Sequence, residues 1–320
     1  MVLSAGGLGG GGDIGLSVIL LGGLEEIARR SREIVVVSFA GCRARESGSR
    51  VRGALVTPSR PTDKNFELAL RILVPQLRTY TICTKEGWNS ILEAVDYVAS
   101  EISPSCWLAS DIGGDGAVTG YESKHGSYKT DSIARAALAY ASRRHGLRGI
   151  VAVGGLGLEG GGRYDSLDMN EMTATMMWHE KHKALLGVYT PSPRQASSAR
   201  RLLNVKLPGG VEPVSVMLPL FAAAVEGRGS IFIRKGYVTG LHRLYWWHRY
   251  VFLLDARRSC EDSPICQDTL LKGTPPQPLY QNREYESLLH KVKRKGFENV
   301  LRRLIAGHSK SNALDKCRLH

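Results

Sequence analysis

The chain has 320 residues, 43% of them hydrophobic and 23% charged, with a formal net charge of +13. That length and balance suit a globular protein whose core needs no disulfide or metal to hold it. The longest apolar stretches, 14–24 and 214–225, fall short of the roughly 20 residues of a membrane span, and the start lacks the basic region of a secretory leader.

A cytoplasmic protein without membrane contact is therefore expected. Six cysteines, Cys42, Cys83, Cys106, Cys260, Cys266 and Cys317, form no C-x-x-C pair and no zinc spacing. Free thiols are expected, although Cys260 and Cys266 flank a turn-like segment that a bond could close. The excess charge is concentrated: residues 28–64 and 286–320 each carry nine basic and three acidic side chains. A basic tail can attract nucleic acid, but a solvated amphipathic helix explains it more simply.

Met1–Ala5 reads as a minimal first strand. Gly6 to Gly12 and Asp13 follow, then a helix from Ile14 toward Arg32. Strand, glycine loop and helix point backbone N–H groups at phosphate, but no Gly-Lys-Ser/Thr makes this a Walker loop. The β-branched run Glu33–Phe39 predicts a buried parallel strand, and 43–65 a basic loop. Residues 66–77 predict a helix, 77–84 a strand and 88–100 an amphipathic helix.

Cys106-Trp107-Leu108-Ala109 predicts a strand that ends in Asp111-Ile112-Gly113-Gly114-Asp115-Gly116, with Gly120 and Glu122 beyond. A helix over 131–144 and a strand over 149–153 follow, the latter running into Gly154, Gly155, Leu156, Gly157, Leu158 and Glu159. A helix over 168–183 carries an Asp168/Glu171 capping box. Its His179 and His182, three apart, do not match the four-residue zinc spacing and read as surface residues. Residues 190–213 read as a boundary or loop, and 214–226 as a helix. Residues 230–234 and 245–254 read as a hairpin-like strand pair. Tyr245, Trp246, Trp247, His248 and Tyr250 make either a platform for bases or ordinary sheet packing. Residues 275–278 form a linker, and 285–305 a basic helix.

Alternating strands and helices predict an α/β fold, a Rossmann-like three-layer sandwich with a mostly parallel sheet. It spans residues 1–260, and 261–320 add a linker and a small basic helical extension. Of the 36 glycines, 19 fall in 1–23, 111–120 and 154–162. All three windows follow strands, so they should meet at the carboxyl edge of the sheet, where open α/β folds bind ligands.

Gly9-Gly10-Gly11-Gly12-Asp13, Asp111-Ile112-Gly113-Gly114-Asp115 with Gly120 and Glu122, and Gly155-Leu156-Gly157-Leu158-Glu159 resemble, in order and spacing, a largely archaeal family numbered 1152 among domains of unknown function. The resemblance covers most of residues 1–260 and implies a fold without an activity. The chain departs from it at Ser127-Tyr128-Lys129-Thr130-Asp131, where the family has Ser-Pro-Leu-x-Asp. In the third loop it has Glu159 where the family has Asp-Gly-Glu. Gly113-Gly114-Asp115-Gly116 also resembles the Gly-Gly-Asp-Gly-Thr/Ser motif of NAD kinases, diacylglycerol kinases and phosphofructokinases, with Ala117 in place of the hydroxyl residue. In those enzymes the glycines pack against phosphates and the aspartate serves catalysis or magnesium.

From the residues themselves, the three loops predict a site for a nucleotide or phosphorylated small molecule. Gly9, Gly10, Gly11, Gly12, Gly113, Gly114, Gly155 and Gly157 would supply phosphate-binding amides. Asp115 is the first candidate for general base or metal ligand, with Glu159 beside it on Mg²⁺. Asp111 and Glu122 would be acid/base or hydroxyl partners. Asp13 and Asp131 read equally well as helix caps. The same cleft also suits a non-catalytic nucleotide- or RNA-binding protein that uses the basic tail.

Overall fold

The computed structural model describes residues 1–5, 11–42, 49–58, 66–123, 128–158, 168–234, 239–273, 280–309, 313–315 and 317. Its strands are β1 (Val2–Ala5), β2 (Val35–Ala40), β3 (Ser49–Arg52), β4 (Leu55–Thr57), β5 (Arg78–Cys83), β6 (Cys106–Ile112), β7 (Arg148–Gly154), β8 (Leu185–Tyr189), β9 (Ser230–Ile233), β10 (Gly240–Arg243) and β11 (Val251–Asp255). Nine of them form one sheet in the order β3-β4-β5-β2-β1-β6-β7-β11-β8. The five central strands are parallel. Numbered by their own succession along the chain they run 3-2-1-4-5, the doubly wound order, whose switch point lies between β1 and β6. Antiparallel strands extend both edges.

The alternation of side chains along each strand sorts the core into two layers. Val35, Val37, Trp107, Val151 and Val153 face one way; Val36, Leu108, Ile150 and Ala152 face the other. Both faces are apolar because helices cover both, as parallel sheets require. The first layer receives α4 (Trp88–Ile102), α5 (Tyr128–His145), α6 (Met169–Lys181), α9 (Ala256–Glu261), α10 (Pro264–Lys272), α11 (Arg283–Lys295) and α12 (Phe297–His308). The second receives α1 (Ile14–Leu20), α2 (Leu24–Arg29), α3 (Phe66–Leu73), α7 (Pro193–Arg200) and α8 (Met217–Val225). The α/β three-layer expectation holds.

Several local expectations give way to tertiary contacts. The first helix breaks at Gly22 and Gly23, and the basic C-terminal helix is two helices, α11 and α12, parted at Gly296. The presumed loop 43–65 contains β3 and β4, which pair beside β5. The 190–213 region contains α7, capped by a Ser192/Gln195 box. β9 pairs with β10, whereas 246–249 is a short 3₁₀ turn leading into β11 of the main sheet. Asp168 caps α6 through the Asn170 N–H, but Glu171 completes no box; its carboxylate accepts from Ser123 instead. His179 is fully buried rather than on the surface.

The cysteines also depart from expectation. Disulfides join Cys42 to Cys83, Cys106 to Cys317 and Cys260 to Cys266. The first two link residues 41 and 211 apart in sequence. Neither spacing shows in the chain, because only the tertiary fold brings those Cα atoms within 5.1 and 5.4 Å.

Candidate functional site at the strand-order reversal

The loops after β1, β6 and β7 meet at the carboxyl edge and are bonded to one another. Asp13 Oδ1 accepts the Ile112 N–H at 3.0 Å, and its carbonyl accepts the Ser110 hydroxyl at 2.7 Å. The Gly113 N–H donates to Gly154 O at 2.9 Å and the Gly157 N–H to Gly113 O at 2.8 Å. Gly9, Gly10 and Glu159 lie outside the described residues.

These bonds change the part the glycines play. The Gly114 N–H goes to Asp111 Oδ2 and the Gly155 N–H to Tyr250 O. With Gly113 and Gly157 also engaged, four of the amides expected to cradle phosphate instead knit the loops together. Gly12 is small for another reason: a Cβ there would lie 2.2 Å from Ser215 Oγ, at the start of α8. Gly157 has φ of +80°, and a Cβ on it would lie 2.6 Å from Met169 Sδ, so a side chain is excluded by both backbone and space.

Where the loops join, Asp111, Asp115 and Asp131 come together, each with a carboxylate oxygen within 4.8 Å of the others'. All three are buried. Asp111 points to the α5 face, as Trp107 and Ala109 do at the same strand parity, and Asp131 reaches it from the first turn of α5. One Asp111 oxygen also accepts the Gly116 N–H at 3.0 Å. A cavity with ≈ 10 Å³ for the centre of a water-sized occupant lies between Asp111, Asp131 and Arg135, about the room that one water or ion needs.

Arg135, one turn after Asp131, is buried beside them. Its guanidinium donates to Gly116 O, Val118 O and Ser263 Oγ, so it fixes the loop that carries Asp115. Burial lowers its pKa to about 10, opposed by the charges of Glu122 and Asp131; it stays cationic at neutral pH. On the other side of β6, burial and the charge of Asp115 hold Asp13 well above the ordinary carboxylate range, against the pull of the Ile112 N–H. The shift opposes a further negative charge beside the cluster.

Glu122 sits in a different setting. Its two oxygens accept from the N–H and hydroxyl of Thr119, the Gly120 N–H and the Thr175 hydroxyl. It therefore clasps the loop to α6, and it does not belong to the acid group. His179 Nε2 meets Ala117 O at 2.9 Å on the same loop, and burial depresses its pKa to about 3. Sequence alone offers Asp131 only as a helix cap and His179 as a surface residue, and does not single out Arg135. The available signal was a lone arginine in the alanine-rich run Ile133-Ala134-Arg135-Ala136-Ala137, one helical turn beyond an aspartate.

The donor set is all oxygen, buried and concentrated, which suits a hard divalent cation such as Mg²⁺. No curated protein and no solved structure matches the chain. The family described as "protein of unknown function (DUF1152)" matches residues 50–274. With more than two thirds of its length matched, the chain belongs to that family.

Proposed function

We propose that the protein binds a nucleotide or other phosphorylated small molecule at the strand-order reversal, with Asp111, Asp115 and Asp131 holding a divalent cation, Mg²⁺ by preference. The observation that carries this reading is the convergence of three buried carboxylates where the β6 and β7 loops meet. Single buried acids cap helices, but three drawn together cost folding energy unless something positive shares the space.

Bound there, Mg²⁺ would neutralise charge on a phosphate oxygen, the chemistry of phosphotransferases and phosphate-ester hydrolases. The chain's own residues prepare the place. Arg135 and Glu122 hold the loop in place. Asp115, in the turn itself, is the carboxylate we assign as metal ligand or general base. The alternative, a non-catalytic nucleic-acid binder using residues 286–320, draws less support. Trp246 donates to Glu298 at 3.2 Å, and the Arg302 guanidinium lies 4.0 Å over the Trp246 ring, so α12 already occupies that part of the aromatic stretch.

Magnesium titration followed by calorimetry and thermal melting, with and without nucleoside triphosphates, tests the reading. Mg²⁺ should raise the melting temperature of the wild type, most with nucleotide present, and Asp115→Asn and Asp131→Asn should abolish the rise while remaining folded. A wild type indifferent to every divalent cation and nucleotide would end it.

A further inference from the structure

Beside the acid cluster lies a second cavity of ≈ 450 Å³, within the roughly 300–1,000 Å³ typical of small-ligand sites. Gly157 belongs to both places: its amide ties it to Gly113, and its backbone lines this cavity. Leu158, Met169 and Leu220 supply an apolar side, and Tyr245, Trp247 and His248 an aromatic one.

The aromatic side is built before any ligand arrives. Tyr245 and Trp247 stack in parallel, with centroids 4.6 Å apart and planes at 1°. Trp246 and Phe297 meet the Trp247 ring edge-on at 90°. Trp247 is only 5% exposed, and its indole Nε1–H has no acceptor among the described residues. His242 also lines the cavity, its Nε2 buried and without a partner among the described residues. His248 Nδ1 accepts the Tyr245 N–H at 3.2 Å, so the neutral ring carries its proton on Nε2. Arg243 stands at the exposed rim. No carboxylate is among the described residues lining the cavity. A wall of rings and donors, with no acid, selects a planar ligand rich in acceptors and carrying negative charge.

We propose that this cavity takes the base and sugar of a nucleoside phosphate, the base stacked against the Tyr245–Trp247 wall. Arg243 pairs with the anion at the rim. The inference rests on the nucleotide reading above and names the surface that recognises the base. It places base recognition away from the acid cluster, with Gly157 as the shared boundary.

The test is equilibrium binding of ATP, GTP, CTP and UTP with Mg²⁺, with ribose 5-phosphate as a probe lacking the base. Tyr245→Ala removes the exposed ring of the wall; it should weaken the tightest nucleotide about tenfold, or roughly 1.4 kcal/mol. Thr239→Trp adds bulk from the exposed rim and should weaken it at least as much. Ribose 5-phosphate should bind wild type and Tyr245→Ala alike. Should Tyr245→Ala lose its cooperative melt, Thr239→Trp decides. Equal nucleotide affinity in wild type and Thr239→Trp would overturn the cavity assignment while leaving nucleotide binding intact. Absence of nucleotide binding to the wild type would overturn both.

Discussion

The acid cluster and the aromatic cavity lie on either side of Gly157 and are built on opposite principles. Around Asp111, Asp115 and Asp131 the protein concentrates charge in almost no space, and loop bonds with a buried arginine hold it there. Around Trp247 it leaves ≈ 450 Å³ open and lines it with rings and donors. The first arrangement can discriminate by charge density and hardness, as ion sites do. The second can discriminate by shape and hydrogen-bond pattern, as sites for organic ligands do. Their adjacency suggests one ligand with a charged end and a flat end.

Mutations can break this contrast in graded ways. The largest effect belongs to Arg135→Met, which strips the Asp115 loop of two bonds, removes a third to Ser263 and leaves acids buried beside it. Loss of a buried ionic partner costs roughly 3–5 kcal/mol, read as a lower urea midpoint, and Mg²⁺ should restore less of the stability than it gives the wild type. Next is Cys317→Ser, expected to cost roughly 2–4 kcal/mol. That disulfide anchors the tail to Cys106, at the opposite end of β6 from Asp111, so ligand and metal affinity should stay unchanged in a binding titration. A change in Mg²⁺ affinity there would mean the cluster depends on the whole strand.

Leu220→Ala, in the apolar wall of the cavity, should cost about 2 kcal/mol, the low end for a buried leucine. Chemical denaturation measures it, and the Mg²⁺ response should not move. The remaining effects are in pH. Asp13 has a raised pKa in the folded protein, so the stability it contributes is full below the unfolded value and lost as pH rises through the folded one. Denaturation curves should therefore weaken upward from about pH 4, by at most about 1.4 kcal/mol per pH unit, and Asp13→Asn should flatten that slope. Asp115→Asn should shift the loss to lower pH by removing the charge that lifts Asp13.

His179 titrates with the opposite sign. Its folded pKa of about 3 lies below the free value, so its contribution is full above about pH 6.5 and falls away toward pH 3. His179→Gln should remove this acid-side loss when unfolding is followed from pH 7 downward.

Much of this molecule was legible in the chain. The β-branched runs of β2 and β7 announce buried parallel strands, because strands covered on both faces cannot alternate with polar residues. Glycine loops after three strands point to the carboxyl edge, since parallel strands send those loops to one side, and Asp13, Asp111 and Asp115 lie there.

What tertiary structure alone decided concerns partners distant in sequence. Asp131 left its role as a helix cap to join the cluster, because α5 lies across the end of β6. The glycine amides went to neighbouring loops rather than outward. Cys106 found Cys317 across 211 residues, and the aromatic stretch became a cavity wall once α12 packed behind it. Periodicity and turn chemistry are local and show in the order of residues. The partners of a buried polar atom depend on which segments the fold lays side by side, and no spacing along the chain records that.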